Sequence, residues 1–223
     1  MCRLLAYLGE PTRIAPLVYG GDHSLYQQSW APNELISGSV NADGYGVVWY
    51  HEGRPTRIAE ARPIWHDDDL CQTLDTIRAS TIIVALRNGT PNIPLDRSGL
   101  LPMVHDQWTF VLNGFVPDFR ATHMRALRAT LPDEFYGRLR GASDSETLFL
   151  LALAEVQDGA SLVDALIAVV HRVTERIGKQ EAQLNMVLSD GEVLAAVRSS
   201  NVNRTNSMYT ATGSNLARCG HIL

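Results

Sequence analysis

A cysteine at the second position of a chain suits one particular chemistry. Removal of an initiator methionine requires a small second residue, and Cys2 qualifies. The thiol then lies beside a free α-amine, whose unperturbed pKa is about 7.7–8.0. Near neutral pH that amine takes the thiol proton and later returns it to a leaving amine, so one residue is both nucleophile and base. On position alone, a small core cysteine on a terminal strand is the commoner case. Four further places bear on the choice. Asn41-Ala42-Asp43-Gly44-Tyr45-Gly46 precedes a strand, and its glycines permit tight turning and close backbone approach; alone it reads as a turn. Arg87 ends an apolar strand, where a guanidinium can hold a carboxylate with paired hydrogen bonds or make a structural ion pair. Asn113-Gly114 closes another strand. A side-chain amide with a neighbouring backbone N–H can form an oxyanion hole, although Asn-Gly in isolation is first a hairpin turn. Ser143-Asp144-Ser145-Glu146 opens an apolar helix with capping-box spacing. Asp144 complements the helix dipole there, and its carboxylate could also bind an ammonium group.

The elements that must carry these residues can be read from periodicity. Arg3 to Leu8 reads as a short buried strand, and weak helical stretches broken at Gly20-Gly21 follow between Ile14 and Trp30. Strands are expected at Tyr45–Tyr50, Thr56–Arg62, Thr81–Leu86 and Gln107–Leu112, with a helix over Asp68–Arg78 that puts Leu70, Leu74 and Ile77 on one face. Helices are expected over roughly 118–130, 144–157 and 162–177, then two strands near 184–189 and 193–198 joined by Asp190-Gly191. Strands in hairpin order with helices grouped between them favour an α+β design with antiparallel sheets. Trp30, Trp49, Trp65 and Trp108 read as core or pocket wall, Cys71 as helix packing, and His105 as a surface turn. The tail after Ala211 has no clear period.

Composition sets outer bounds. The 223 residues, 45% hydrophobic, suffice for one domain with its own core and no staple. A net charge of −5 argues against nucleic acid or an anionic membrane as partner. Three widely spaced cysteines suit a reducing compartment, and neither they nor the seven histidines show ligand spacing, so no metal or cofactor is expected. No apolar run is long enough to span a bilayer, and the first residues turn polar too soon for a secretory signal, which gives a cytoplasmic reading.

Together these residues resemble the class II glutamine amidotransferase domain of the N-terminal nucleophile superfamily. The pattern is Met-Cys at the start, Asn-x-Asp-Gly-x-Gly, a strand ending in Arg with a Thr nearby, Asn-Gly, and an Asp opening a helix. All five occur here in order and cover about two thirds of the chain. The opening Met1 to Gly9, the segment Asn41 to Tyr50 and Pro63-Ile64-Trp65 look closest to the stand-alone branch, which includes hydrolases of γ-glutamyl-hercynylcysteine sulfoxide in ergothioneine biosynthesis.

The resemblance implies a four-layer αββα sandwich of two antiparallel sheets, with residues 2–223 as a single domain that departs from the family pattern after about 210. It implies that Cys2 attacks a γ-glutamyl carbonyl to give a thioester that water resolves. Asn113 and the Gly114 amide would hold the oxyanion, Arg87 and Thr90 would bind the glutamyl end through its α-carboxylate, and Asp144 would bind the α-ammonium. The partner is then a small γ-glutamyl molecule, and a homo-oligomer is compatible with it. Ala85, Asn88, Gly89 and Leu112 depart from the branch at positions expected to flank the pocket, which bears on substrate choice. Two other readings stand beside this one: a glutaminase subunit supplying ammonia to a separate synthase, and a non-catalytic binding module on the same fold.

Overall fold

The computed structural model describes residues 2–34, 40–89, 99–202 and 205–213. Among the described residues, eight strands form two antiparallel sheets. Strands β1 (Arg3–Arg13), β2 (Gly44–His51), β3 (Arg54–Glu60) and β4 (Arg78–Arg87) build the first, in the order β1-β4-β2-β3. Strands β5 (Met103–His105), β6 (Trp108–Phe115), β7 (Gln183–Ser189) and β8 (Leu194–Ser200) build the second, in sequence order.

Strand β4 shows why the layers stack as they do. From Thr81 to Leu86 it is buried on both faces, and its period-two alternation divides it between two cores. Ile82, Val84 and Leu86 pack with helices α1 (Ile14–Tyr19), α2 (Leu25–Trp30) and α3 (Leu70–Thr76), whereas Ile83 and Ala85 face the second sheet. On the far side of that sheet lie α4 (Met124–Arg128), α5 (Asp133–Tyr136), α6 (Asp144–Gln157) and α7 (Leu162–Ile177). Phe110 of β6 stacks on Phe149 of α6 at 5.3 Å between ring centroids. Helix α6 is buried continuously from Asp144 to Ala154, between the sheet and its neighbouring helices. Helix α7 covers it with one apolar stripe, Ala165, Leu166, Val169, Val173 and Ile177, at helical spacing. The result is the expected α+β sandwich of four layers, helices–sheet–sheet–helices.

Both long helices begin where their caps dictate. Ser143 Oγ accepts from the Glu146 N–H and Ser161 Oγ from the Asp164 N–H, each at 3.2 Å. The capping box at α6 is only half made, because the Glu146 carboxylate turns to the Arg140 and Gly141 N–H groups instead.

Several expectations need correction. The helix over 118–130 is two pieces, a π turn at Phe119–His123 and the short α4, and α5 follows it. Asn113-Gly114 is not a hairpin turn: both residues lie inside β6, paired with Asn185 and Leu184 of β7. Trp30 is 48% exposed and so is not core, while Trp49, Trp65 and Trp108 do pack against the cores. Cys71 is exposed on α3 rather than packed. His105 is half-buried in the edge strand β5, which the sequence reading missed. No helix among the described residues is long and apolar enough to cross a membrane.

Candidate active site

The two sheets are fastened at one end. Tyr50 Oη, near the end of β2, lies 2.9 Å from the Gln107 carbonyl, 3.0 Å from the Ser189 carbonyl and 2.7 Å from Thr109 Oγ1. Thr81 Oγ1 donates to the Gly191 carbonyl at 2.6 Å. Away from this fastening, β2 leads back to Gly44 and β6 leads on to Phe115. At that opposite end β1 begins, and Arg3 pairs with Leu86, one residue short of Arg87. Alternation then fixes the directions. Cys2 shares parity with Leu4, and Arg87 with Ile83 and Ala85, so both point between the sheets. Asn113 shares parity with Thr109, which meets Tyr50 across the gap, so it points inward from the other side. Leu112 therefore faces α6 with Phe110, on the opposite side of β6 from Asn113, and does not flank this pocket as expected.

Charge closes the group. Burial is the main influence on the Cys2 thiol and pushes its pKa up; the Arg87 charge draws it down and the Asp144 carboxylate raises it. Arg87 and Asp144 thus each lie within electrostatic reach of Cys2. Arg87 is 6% and Asp144 7% exposed. As the first residue of α6, Asp144 accepts the Ser145 N–H at 2.7 Å and the Val116 N–H, just beyond β6, at 3.0 Å. Those bonds favour the carboxylate, yet burial outweighs them and holds its pKa above the ordinary value.

The loop after Arg87 is held by the Asn-x-Asp-Gly-x-Gly segment. Asp43 Oδ2 accepts the Gly89 N–H at 2.6 Å, and the Asp43 N–H donates to the Arg87 carbonyl at 3.1 Å. This places the Asn88 carbonyl 3.9 Å from Cys2 Sγ, a long S–H···O contact. The glycine of the pair Asn113-Gly114 is explained by space: a Cβ there would lie 1.8 Å from the Gln183 carbonyl oxygen. Gly114→Ala is expected to cost about 3 kcal/mol, the upper end for overpacking, and to lower Tm by roughly 6–12 °C in a thermal melt. An unchanged Tm would refute that packing.

A family model for the class-II glutamine amidotransferases matches residues 22–210. The chain belongs to that family. Among its relatives, a gamma-glutamyl-hercynylcysteine sulfoxide hydrolase of Mycolicibacterium smegmatis is 30% identical over 197 residues, 88% of this chain and 78% of the relative. A protein of the same description from Mycobacterium tuberculosis is 33% identical over 116 residues, 52% of this chain and half of the relative. Two solved structures share the fold of this family member. A glutamine aminotransferase class-II domain protein from Silicibacter pomeroyi gives a TM-score of 0.63 at 23% identity, over 91% of this chain and 79% of that one. Glutamine phosphoribosylpyrophosphate amidotransferase from B. subtilis gives 0.57 at 13% identity, over 89% of this chain and 37% of that one.

Of the site residues expected from sequence, Cys2, Arg87, Asn113, Gly114 and Asp144 gather at one end of the sandwich, and Thr90 lies outside the described residues. Tyr45 is 1% exposed and packs toward α1–α3, on the face of the first sheet opposite Cys2 and Arg87. One residue was missed. Asn206, 4% exposed in the tail, donates from Nδ2 to Asn113 Oδ1 at 3.2 Å. Among the described residues no group of three or more His, Cys, Asp or Glu side chains is placed to hold a metal ion.

Proposed function

We propose that this protein hydrolyses a γ-glutamyl amide through a thioester on Cys2, and that its substrate is γ-glutamyl-hercynylcysteine sulfoxide. The observation that carries the reading is the meeting of the partly buried Cys2 thiol with two buried groups of opposite charge, Arg87 and Asp144, at the open end of the sandwich. A glutamyl end bears both an α-carboxylate and an α-ammonium, so that pair of charges fits it at both points. The relative from Mycolicibacterium smegmatis, named for that sulfoxide, supports the choice of amide.

Because burial raises the Cys2 thiol, the neutral thiol prevails at rest and attack needs a base. The α-amine freed by loss of Met1 takes the thiol proton as sulfur adds to the γ-carbonyl. The oxyanion is held by the Asn113 amide and the Gly114 N–H. The ammonium returns its proton to the leaving amine, the thioester forms, and water resolves it to glutamate and free Cys2. Arg87, with Thr90 nearby in sequence, grips the α-carboxylate, and Asp144 pairs with the α-ammonium.

Two expected outcomes test the binding roles. Arg87→Lys keeps the charge but loses the planar fork, so KM rises about tenfold, the equivalent of roughly one charged hydrogen bond, while kcat changes less. An unchanged KM would remove Arg87 from the binding role. A protonated Asp144 cannot pair with an ammonium. KM therefore rises as pH falls through the upward-displaced pKa of Asp144, and in Asp144→Asn it is high at every pH. A flat KM profile in the wild type would contradict this.

The function itself is tested by a turnover panel of glutamine, glutathione and γ-glutamyl-hercynylcysteine sulfoxide. Rapid cleavage of the sulfoxide with negligible glutamine turnover is expected. Preferred glutamine turnover, rising on addition of a synthase, would overturn the substrate.

A further inference from the structure

We infer that Asn206 is a positioning residue that sets the side-chain amide of Asn113 for the oxyanion, an inference that rests on the role given to Asn113 above. The segment around it folds back onto the open end of the sandwich. Ser207 Oγ and Tyr209 Oη both donate to the Glu34 carboxylate, the latter at 2.8 Å. The backbone of Asn206 is held from two sides. Its N–H donates to Gln183 Oε1 at 3.0 Å, and its carbonyl accepts from Arg198 Nε at 2.9 Å and Asn185 Nδ2 at 3.3 Å. Gln183 is the same residue whose carbonyl fills the Cβ space of Gly114, so one β7 residue fixes both Asn206 and the oxyanion-hole glycine.

The side chain of Asn206 then has one task. Its Nδ2 lies 3.2 Å from Asn113 Oδ1 and 3.5 Å from the Asn113 carbonyl oxygen. The second contact matters most, because a backbone carbonyl cannot exchange its oxygen for a nitrogen. With the shorter contact to Oδ1, it favours the orientation in which the donor end of Asn206 faces Asn113. Asn113 must therefore meet that donor with Oδ1, which turns its own Nδ2 away from Asn206, free to donate to a developing oxyanion. The placement has a cost that packing alone does not explain. Asn206 Oδ1 is buried with no hydrogen-bond partner among the described residues, an unmet acceptor that an apolar side chain would avoid. The donor end is what this position requires.

Asn206→Asp replaces the donor by an acceptor at nearly constant shape. The Asn113 amide then reverses, presenting oxygen to the oxyanion. Measured on the best substrate of the panel, kcat of Asn206→Asp is expected to fall about 100-fold with KM within about twofold, and that of Asn206→Ala about tenfold. In an Asn113→Ala background the Asn206 substitutions should cause no further loss of kcat. Thermal melts identify any variant that fails to fold, and Asn206→Ala, which buries no charge, then carries the test. Normal kcat in both Asn206 variants, or an undiminished loss in the Asn113→Ala background, overturns the inference. If Asn113→Ala itself leaves kcat unchanged, the oxyanion assignment fails first and Asn206 falls with it.

Discussion

Cys2→Ala is expected to lower turnover by at least about 10³-fold while the protein melts within a few degrees of the wild type. The argument runs from the place of the side chain. Cys2 precedes β1, is only partly buried, and its sulfur makes just a long contact to the Asn88 carbonyl. Its removal therefore takes little packing from the fold. Strand β1 is held by its ladder to β4, from Arg3↔Leu86 to Leu8↔Thr81, which the substitution does not touch. The loss in rate is of another order because no other thiol among the described residues can stand in for it: Cys71 is exposed on α3, on the other side of the first sheet. Circular dichroism and a thermal melt, run beside the turnover assay, separate the two effects. A variant retaining a tenth of the activity would show that the sulfur is not the nucleophile.

Asn113→Ala is expected to reduce kcat by about 10²–10³-fold and to leave KM nearly unchanged, the pattern for a donor that matters only as charge develops on the carbonyl oxygen. Stability should fall as well, by about 1–3 kcal/mol, because truncation deprives the buried Asn206 amide of its Oδ1 acceptor. The two readouts are separable. A loss of Tm with intact kcat would make Asn113 a structural residue. A rise in KM with intact kcat would make it a ground-state contact with the substrate.

The ease of reading this fold from sequence followed how local each signal was. The limits of α6 and α7 agree with expectation because a serine cap opens each one and the apolar pattern runs unbroken behind it. Strand β4 declared itself through a β-branched run buried on both faces. Asn113-Gly114 misled for the same reason that makes Asn-Gly a good hairpin signal. The local preference was overridden by pairing with β7, some seventy residues away, whose Gln183 carbonyl excludes any side chain at Gly114. Strand β5 has three residues at a sheet edge, too few for alternation to show. Of the two readings given to Trp30, core is excluded: its helix has only six residues and leaves it at the surface.

The candidate site was legible as a list of residue types rather than as a place. Cys2, Arg87, Asn113 and Asp144 each had an ordinary structural explanation, and only their order in the chain argued for chemistry. The order of the strands supplied what the sequence lacked. Placing β4 between β1 and β2 puts Arg87 beside Cys2, and the fastening at Tyr50 orients β6 so that Asn113 arrives at the same end. Asn206 had no signal to find. It is a polar residue in an aperiodic tail, and its meaning lies in hydrogen bonds to residues as distant in sequence as Asn113.

The central claim is that the sulfur of Cys2 and its own α-nitrogen form the reactive unit. Intact-mass spectrometry with peptide mapping tests it most directly, on folded protein treated with the glutamine-like electrophile diazo-oxo-norleucine. The predicted result is a chain lacking Met1 that carries a single adduct on Cys2, with turnover lost in proportion. An active protein that retains Met1, or a folded protein that takes no adduct on Cys2, would contradict it.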